Sequence, residues 1–228
     1  MLKALEQFMI VKSIRKEDNS MRKVFMSTML LGEIKKTTYI SEDFVLSEQH
    51  YDFPLSYLID NEVRTGDEVE IITAVEHGEG GVQTSVQNYE AYVQEVKSIL
   101  AERGVQVHFT EVITGKKLED KTFTKFFKKL TALLKEDDEV YADFTFGMKA
   151  YSLSMFIALA YAVKSAQNID LRCLLYAEKY TGTDAAEQKN TSELCDITSL
   201  FYLDAIAGNA RAGQKEELDE VMQLIIKD

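Results

Sequence analysis

Short apolar runs of strand character alternate with segments of helical period along most of this chain, and that alternation leaves few folds open. The strand-like runs cover residues 23–29, 69–75, 105–113, 140–144 and 171–177. Between them lie a short helix over 55–63 behind the sole proline, Pro54, and a helix carrying Tyr89, Val93, Val96 and Leu100 up to Gly104. A third spans 122–134, with Phe123, Phe126, Phe127, Leu130 and Leu134 opposite Lys125, Lys128 and Lys129; a fourth begins at Met148, and a final one runs from about Ser199. Strands that alternate with helices pair in parallel, because each crossover returns the chain to the same edge. Near-continuous apolar strands are those buried on both faces. The expectation is an α/β, Rossmann-like doubly wound, mainly parallel sheet with helices on both faces. In such sheets ligands gather at the carboxyl ends of the strands, so the loops after Met26, Val75 and Phe144 are expected to share one edge.

The rest of the chain divides around that core. Residues 2–14 carry Leu2, Leu5, Phe8 and Met9 at partly helical spacing, so 1–21 reads as an N-terminal helical extension, 22–210 as the domain and 211–228 as the end of a C-terminal helix. At 228 residues and 46% apolar composition the chain can bury one main core. A formal charge of -12 argues against an extended nucleic-acid duplex as partner, since duplex affinity comes from many Lys and Arg contacts to phosphate. A small anion in a local positive pocket stays open. Cys173 and Cys195 lack metal or redox spacing and read as reduced thiols. No secretory signal and no membrane span is readable, and a cytoplasmic location is expected.

The densest chemistry lies where the strand over 140–144 meets the helix from Met148, in the array Asp143-x-Thr145-x-Gly147-x-Lys149. Glycine lets a ligand approach the backbone, the first turn of a helix presents free N–H groups, and lysine supplies a point charge. Apart from Lys149, residues 148–163 carry no charge, which predicts a buried helix. An ordinary turn in which Asp143 or Thr145 caps the helix and Lys149 stays in solvent fits the same letters. The array is neither GxxxxGK[ST] nor GxGxxG. Ser27 and Thr28, at the end of the first strand, form a second candidate facing the same edge, or simple turn formers. Glu76 and His77 open a glycine-rich loop and form a third. His50, His77 and His108 are too scattered for a zinc site, and neither a metal nor a cofactor is expected. The pair Arg103 and His108 has R-x4-H spacing but straddles a helix end and a strand, so it reads as coincidence.

Asp143-x-Thr145-x-Gly147 after a β-strand resembles the D-x-T-H-G signature of CRISPR-associated proteins with a CARF domain, and Lys149 extends it to D-x-T-x-G-x-K. Glu193 to Leu200, reading ELCDITSL, is similar to the D-[IV]-T-x-L passage that closes the domain in that family. The family's histidine is Phe146 here, which places an aromatic ring where that group would be. The resemblance implies a homodimer whose paired strand ends hold a cyclic oligoadenylate, tetra- or hexa-adenylate, in type III CRISPR antiviral signalling. It implies ligand contacts from Asp143, Thr145, Phe146, Gly147, Met148, Lys149, Ser27, Thr28, Glu76 and His77. It also implies metal-independent cleavage of the ring by ribose 2′-OH attack, as in a ring nuclease, with Lys149 stabilising phosphate charge and Ser27 or Thr28 orienting the hydroxyl. Family members usually carry an effector module after the sensor, and none is read here. The residues alone also fit a Rossmann-like regulatory or interaction subunit that senses another phosphorylated metabolite.

Overall fold

The three apolar residues Val24, Phe25 and Met26 point alternately to both sides of their strand, and all are fully buried, as a central parallel strand requires. In the computed structural model, which describes residues 22–34, 37–46, 50–77, 83–115, 120–165, 168–179, 191–209 and 219, this strand is β1 (Arg22–Thr28). It pairs in parallel with β3 (Glu68–Glu76) on one side and β5 (Glu139–Asp143) on the other. Beyond β3 lies β4 (Gln106–Thr114), and beyond β5 lie β6 (Asp170–Lys179), β7 (Thr191–Asp196) and β2 (Thr38–Ile40). The sheet order is β2-β7-β6-β5-β1-β3-β4, with only the β6–β7 pair antiparallel. The doubly wound α/β fold is therefore present.

Helices cover both faces. On one side α1 (Pro54–Glu62) and α2 (Gln83–Leu100) bury Leu55, Leu58, Ile59, Tyr92 and Val96 against Phe25, Ile71 and Tyr141. On the other, α3 (Asp120–Leu133), α4 (Lys149–Lys164) and α5 (Thr198–Asn209) bury Phe126, Leu130, Met155, Leu159 and Phe201 against Met26, Ile72 and Leu174. The expected helix over 2–14, and all of 211–228 except residue 219, lie outside the described residues.

The strands β2 and β7 have no counterpart in the expectation from sequence. Three residues are too few to show a period, and Thr-Ser-Glu-Leu-Cys-Asp in β7 is too polar to read as a buried strand. The helix α4 also corrects an expectation. Tyr151, Met155, Ala158, Leu159 and Ala162 are buried, yet Leu153, Ile157 and Tyr161 are 60%, 50% and 55% exposed. A helix lying on a sheet offers only one stripe to it, whatever the chemistry of its back.

The amino ends of the strands are tied by charge. Arg22 donates to Asp138 at 2.8 and 2.9 Å and to Glu70 at 3.2 Å, and Lys23 lies 2.9 Å from Asp67. Arg103 donates to the Asp60 carboxylate and carbonyl and to the Val63 carbonyl, so it clamps the end of α1. His108, five residues on, lies in β4.

Candidate functional site

From β1 the chain first lays β2 on the far edge, comes back through α1 to β3 and on to β4, then returns across the opposite face to β5 and continues the other way through β6. The winding direction thus reverses between β1 and β5, and a crevice opens at the carboxyl ends of such a strand pair. Ser27 and Asp143 are register partners there, and Thr28 and Phe144 follow them.

Local hydrogen bonds explain the shape of the turn after β5. The Phe144 N–H donates to the Leu175 carbonyl at 2.9 Å, and the Thr145 N–H donates to Asp143 Oδ1 at 2.8 Å. The Thr145 hydroxyl in turn accepts from the Ala177 N–H at 2.8 Å, stitching the turn to β6. The Thr28 hydroxyl donates to the Phe146 carbonyl. Gly147 then takes φ +84°, and a Cβ placed on it would lie 2.6 Å from the Thr28 Cβ. Glycine is required here by both backbone and space.

The roles within the array follow from these contacts. Asp143 holds the turn rather than the helix end, because the residue flanking α4 is Met148, whose side chain caps nothing. The first N–H groups of α4 to find a carbonyl are those of Tyr151 and Ser152, both on the Met148 oxygen. Lys149 is exposed at that helix start, and among the described residues its ammonium has no hydrogen bond or ion pair. Burial pushes the Asp143 carboxyl up to about 6, against the lowering pull of its hydrogen bonds from Thr145. Burial raises the Tyr92 hydroxyl well above its ordinary value, and the nearby Asp143 charge adds to it.

Strand alternation separates the two hydroxyls at the end of β1. Phe25 and Met29 belong to the layer under α1 and α2, so Ser27 faces that layer, together with Thr73 and Asp143. The buried hydroxyls of Ser27, Thr73 and Tyr92 have no partner among the described residues. Thr28 faces the other way, toward α4. There Thr28, Glu76, Thr114, Gly147, Met148 and Tyr151 line a small open depression with room for about one water molecule. Phe146 packs into the α1/α2 layer instead.

The third candidate splits likewise. Glu76, 7% exposed, lines the depression, whereas His77 turns to the opposite face and pairs through Nε2 with the Glu111 carboxylate. Residues 78–82 of that loop lie outside the described residues. Of the residues singled out from sequence, the depression brings together Thr28, Glu76, Gly147 and Met148. It leaves Ser27, Asp143, Thr145, Phe146 and His77 on or behind its walls, and Lys149 at its rim helix. Thr114, Tyr151 and Glu111 were missed by sequence reasoning. Thr114 is the register partner of Glu76, a fact that only strand pairing supplies.

Among the described residues no cluster of His, Cys, Asp or Glu has metal-binding geometry, and no helix is long and apolar enough to cross a membrane. Cys173 and Cys195 are free thiols, and burial raises the pKa of both.

No protein-family model matches the chain, and no curated protein matches it. Among solved structures it is similar to Enterococcus italicus Csm6 bound to cyclic hexa-2'-fluoro-hexa-dAMP, with a TM-score of 0.44 and 14% sequence identity. The similarity covers 91% of this chain and 55% of that one, so the chain spans about half the length of that structure.

Proposed function

We propose that the carboxyl edge of this sheet binds a cyclic oligoadenylate, a tetra- or hexa-adenylate, between two copies of the chain as part of type III CRISPR signalling. One observation carries the reading: the D-x-T-x-G-x-K residues stand at the switch point, where Gly147 delivers the chain into a helix start without a side-chain cap, beside a Lys149 that has no partner among the described residues. Free N–H groups and an ammonium at close range attract a phosphate even on an acidic protein, because the remaining carboxylates are distant and screened by salt. The depression beside the turn has room for about one water molecule, so a ring would be held at the open edge and not inside one copy. A two-fold partner would double the site, in keeping with the symmetry of an even-numbered ring.

Cleavage of the ring is the finer part of the proposal. With the Thr28 hydroxyl already donating to Phe146 and Ser27 turned to the far layer, Lys149 is left as the residue to stabilise phosphate charge. Turnover would then rest on positioning of the 2′-OH for in-line attack. Calorimetric titration with cyclic tetra- and hexa-adenylate, followed by chromatography of the mixtures in EDTA, tests both parts. Saturable binding is expected. Linear products ending in 2′,3′-cyclic phosphate would establish cleavage, and no binding of either ring would refute the reading.

The uncapped start of α4 beside Lys149 supports a second reading equally, in which the same turn holds a single phosphorylated metabolite in a regulatory or interaction subunit. Thermal-shift measurements separate the two. Stabilisation by a mononucleotide or sugar phosphate, with none by oligoadenylates, selects the second.

A further inference from the structure

The helix α4 turns a line of apolar side chains to solvent. Its exposed positions are Lys149, Leu153, Ile157, Tyr161 and Lys164, so three large apolar residues stand at four-residue spacing between two lysines, with no carboxylate among them. The packing of α4 on the sheet uses the opposite stripe, and the solvent face of such a helix is ordinarily polar. From Lys149 to Tyr161 the line runs about 18 Å, given the rise of an α-helix. The neighbouring α3 sets Phe127 edge-on to the Tyr161 ring at 5.4 Å and exposes Lys125, Lys128 and Lys129 beyond it. An apolar centre with a charged rim is the make-up of a protein interface.

We propose that this line is the seam between two copies of the chain, with the two α4 helices parallel about a two-fold axis, and that an anion at the paired Lys149 ends controls the pairing. The proposal rests on the ring-binding reading for its ligand. A second copy is the occupant because Lys149 stands on the same line as Leu153 and Ile157. A two-fold axis along the line therefore brings both Gly147 turns, both helix starts and both ammonium groups to one edge, with the helices about 8–10 Å apart. The turn needs that completion, since the depression beside it has room for about one water molecule. Area explains the control. Three side chains half exposed or more offer on the order of 300 Å², enough to mark an interaction site and well below the roughly 800 Å² that each partner of a stable dimer buries. Parallel pairing also sets two ammonium groups and two positive helix ends side by side, which opposes it. A ring of phosphates removes that repulsion. Binding and pairing are then linked, and a ligand that prefers the paired ends tightens the dimer.

The test is sedimentation equilibrium of the full chain over a range of concentrations, with and without cyclic tetra-adenylate, for the wild type, Ile157→Glu, Lys149→Ala and Ile113→Glu. Ile113, 60% exposed on β4, lies outside the seam and controls for unspecific association. The ring is expected to tighten the wild-type dimer by roughly five- to a hundredfold. Ile157→Glu is expected to loosen it by more than about tenfold, with an unchanged circular dichroism spectrum, because an exposed position tolerates the charge in one copy and the seam does not. Ile113→Glu should pair as the wild type does. Lys149→Ala is expected to tighten the ligand-free dimer and to blunt its response to the ring, opposite signs that a merely structural residue does not produce. Bis-maleimide cross-linking fixes the direction: Leu153→Cys should link to its own copy, whereas antiparallel helices would link it to Tyr161→Cys. Equal pairing of wild type and Ile157→Glu, or linkage of Leu153→Cys only to Tyr161→Cys, overturns the seam, and ring binding retained there leaves the ring reading standing. A ligand-free dimer that Lys149→Ala does not tighten overturns the control by anions. A dimer that Ile157→Glu breaks and no ring binds overturns the ring reading and leaves the seam. Monomers at every concentration, with and without the ring, overturn the seam and give the line to residues 210–228 or to another protein.

Discussion

Replacing Gly147 by alanine tests the geometry on which the whole site depends. Two costs are separable. A φ of +84° lies in the left-handed region, where an L side chain costs roughly 1–2 kcal/mol. The new Cβ would sit 2.6 Å from the Thr28 Cβ, an atom held in β1 and unable to rotate away, so the turn or the strand end must move. Such overpacking costs about 1–3 kcal/mol, and displacement of the turn weakens the Thr28 to Phe146 hydrogen bond by about 1 kcal/mol more. The expected loss is therefore about 3–6 kcal/mol, a large fraction of the roughly 5–15 kcal/mol that holds a domain together. Urea unfolding followed by circular dichroism reads it directly, for the wild type, Gly147→Ala, Thr28→Gly and the double variant. Because Thr28→Gly removes the obstructing Cβ, the double variant should recover the steric part and keep the backbone part, with a coupling energy above about 1 kcal/mol. A loss below about 1 kcal/mol in Gly147→Ala, or strict additivity in the cycle, would refute both the turn conformation and its contact with β1.

Asp143→Asn probes the buried carboxyl. Its folded pKa of about 6 exceeds the ordinary 3.8, so the native state binds the proton more tightly and this group's contribution is greatest below pH 3.8. That contribution is lost as pH rises to about 6, a span worth about 3 kcal/mol, so the variant should gain on the wild type above pH 6 and match it near pH 4. Parallel stability curves from urea melts across that range would contradict the shift. Thr145→Val deletes the acceptor of the Ala177 N–H and should cost about 1–3 kcal/mol, with faster hydrogen exchange at the Ala177 amide; unchanged exchange would mean the turn is held elsewhere. Lys149→Ala should leave stability within about 0.5 kcal/mol, since the residue is exposed and has no partner among the described residues, and weaken oligoadenylate binding by about 1–3 kcal/mol. Unchanged affinity, measured by calorimetry, would move the phosphate site away from α4.

The Asp143 to Lys149 array combined two readings that the letters alone left open. Its turn-building half proved local: Asp143 and Thr145 are tied to their own backbone neighbourhood and to β6, which is why they lie behind the depression instead of within it. Its other half, Gly147 and the start of α4, keeps the features an anion needs. Strand alternation along β1 already implied that Ser27 and Thr28 would part company, but which of them would meet α4 depended on the layer each helix chose.

By itself the sequence determined the α/β class, five of the seven strands and the strand-to-helix turn at Gly147, because the period of apolar residues and the steric demands of glycine are properties of neighbours along the chain. Strand order, the strands β2 and β7, the exposed back of α4 and the meeting of Glu76 with Thr114 were decided only by tertiary structure. Those features depend on which distant segments share hydrogen bonds and buried surface, and no local pattern of residues encodes that pairing.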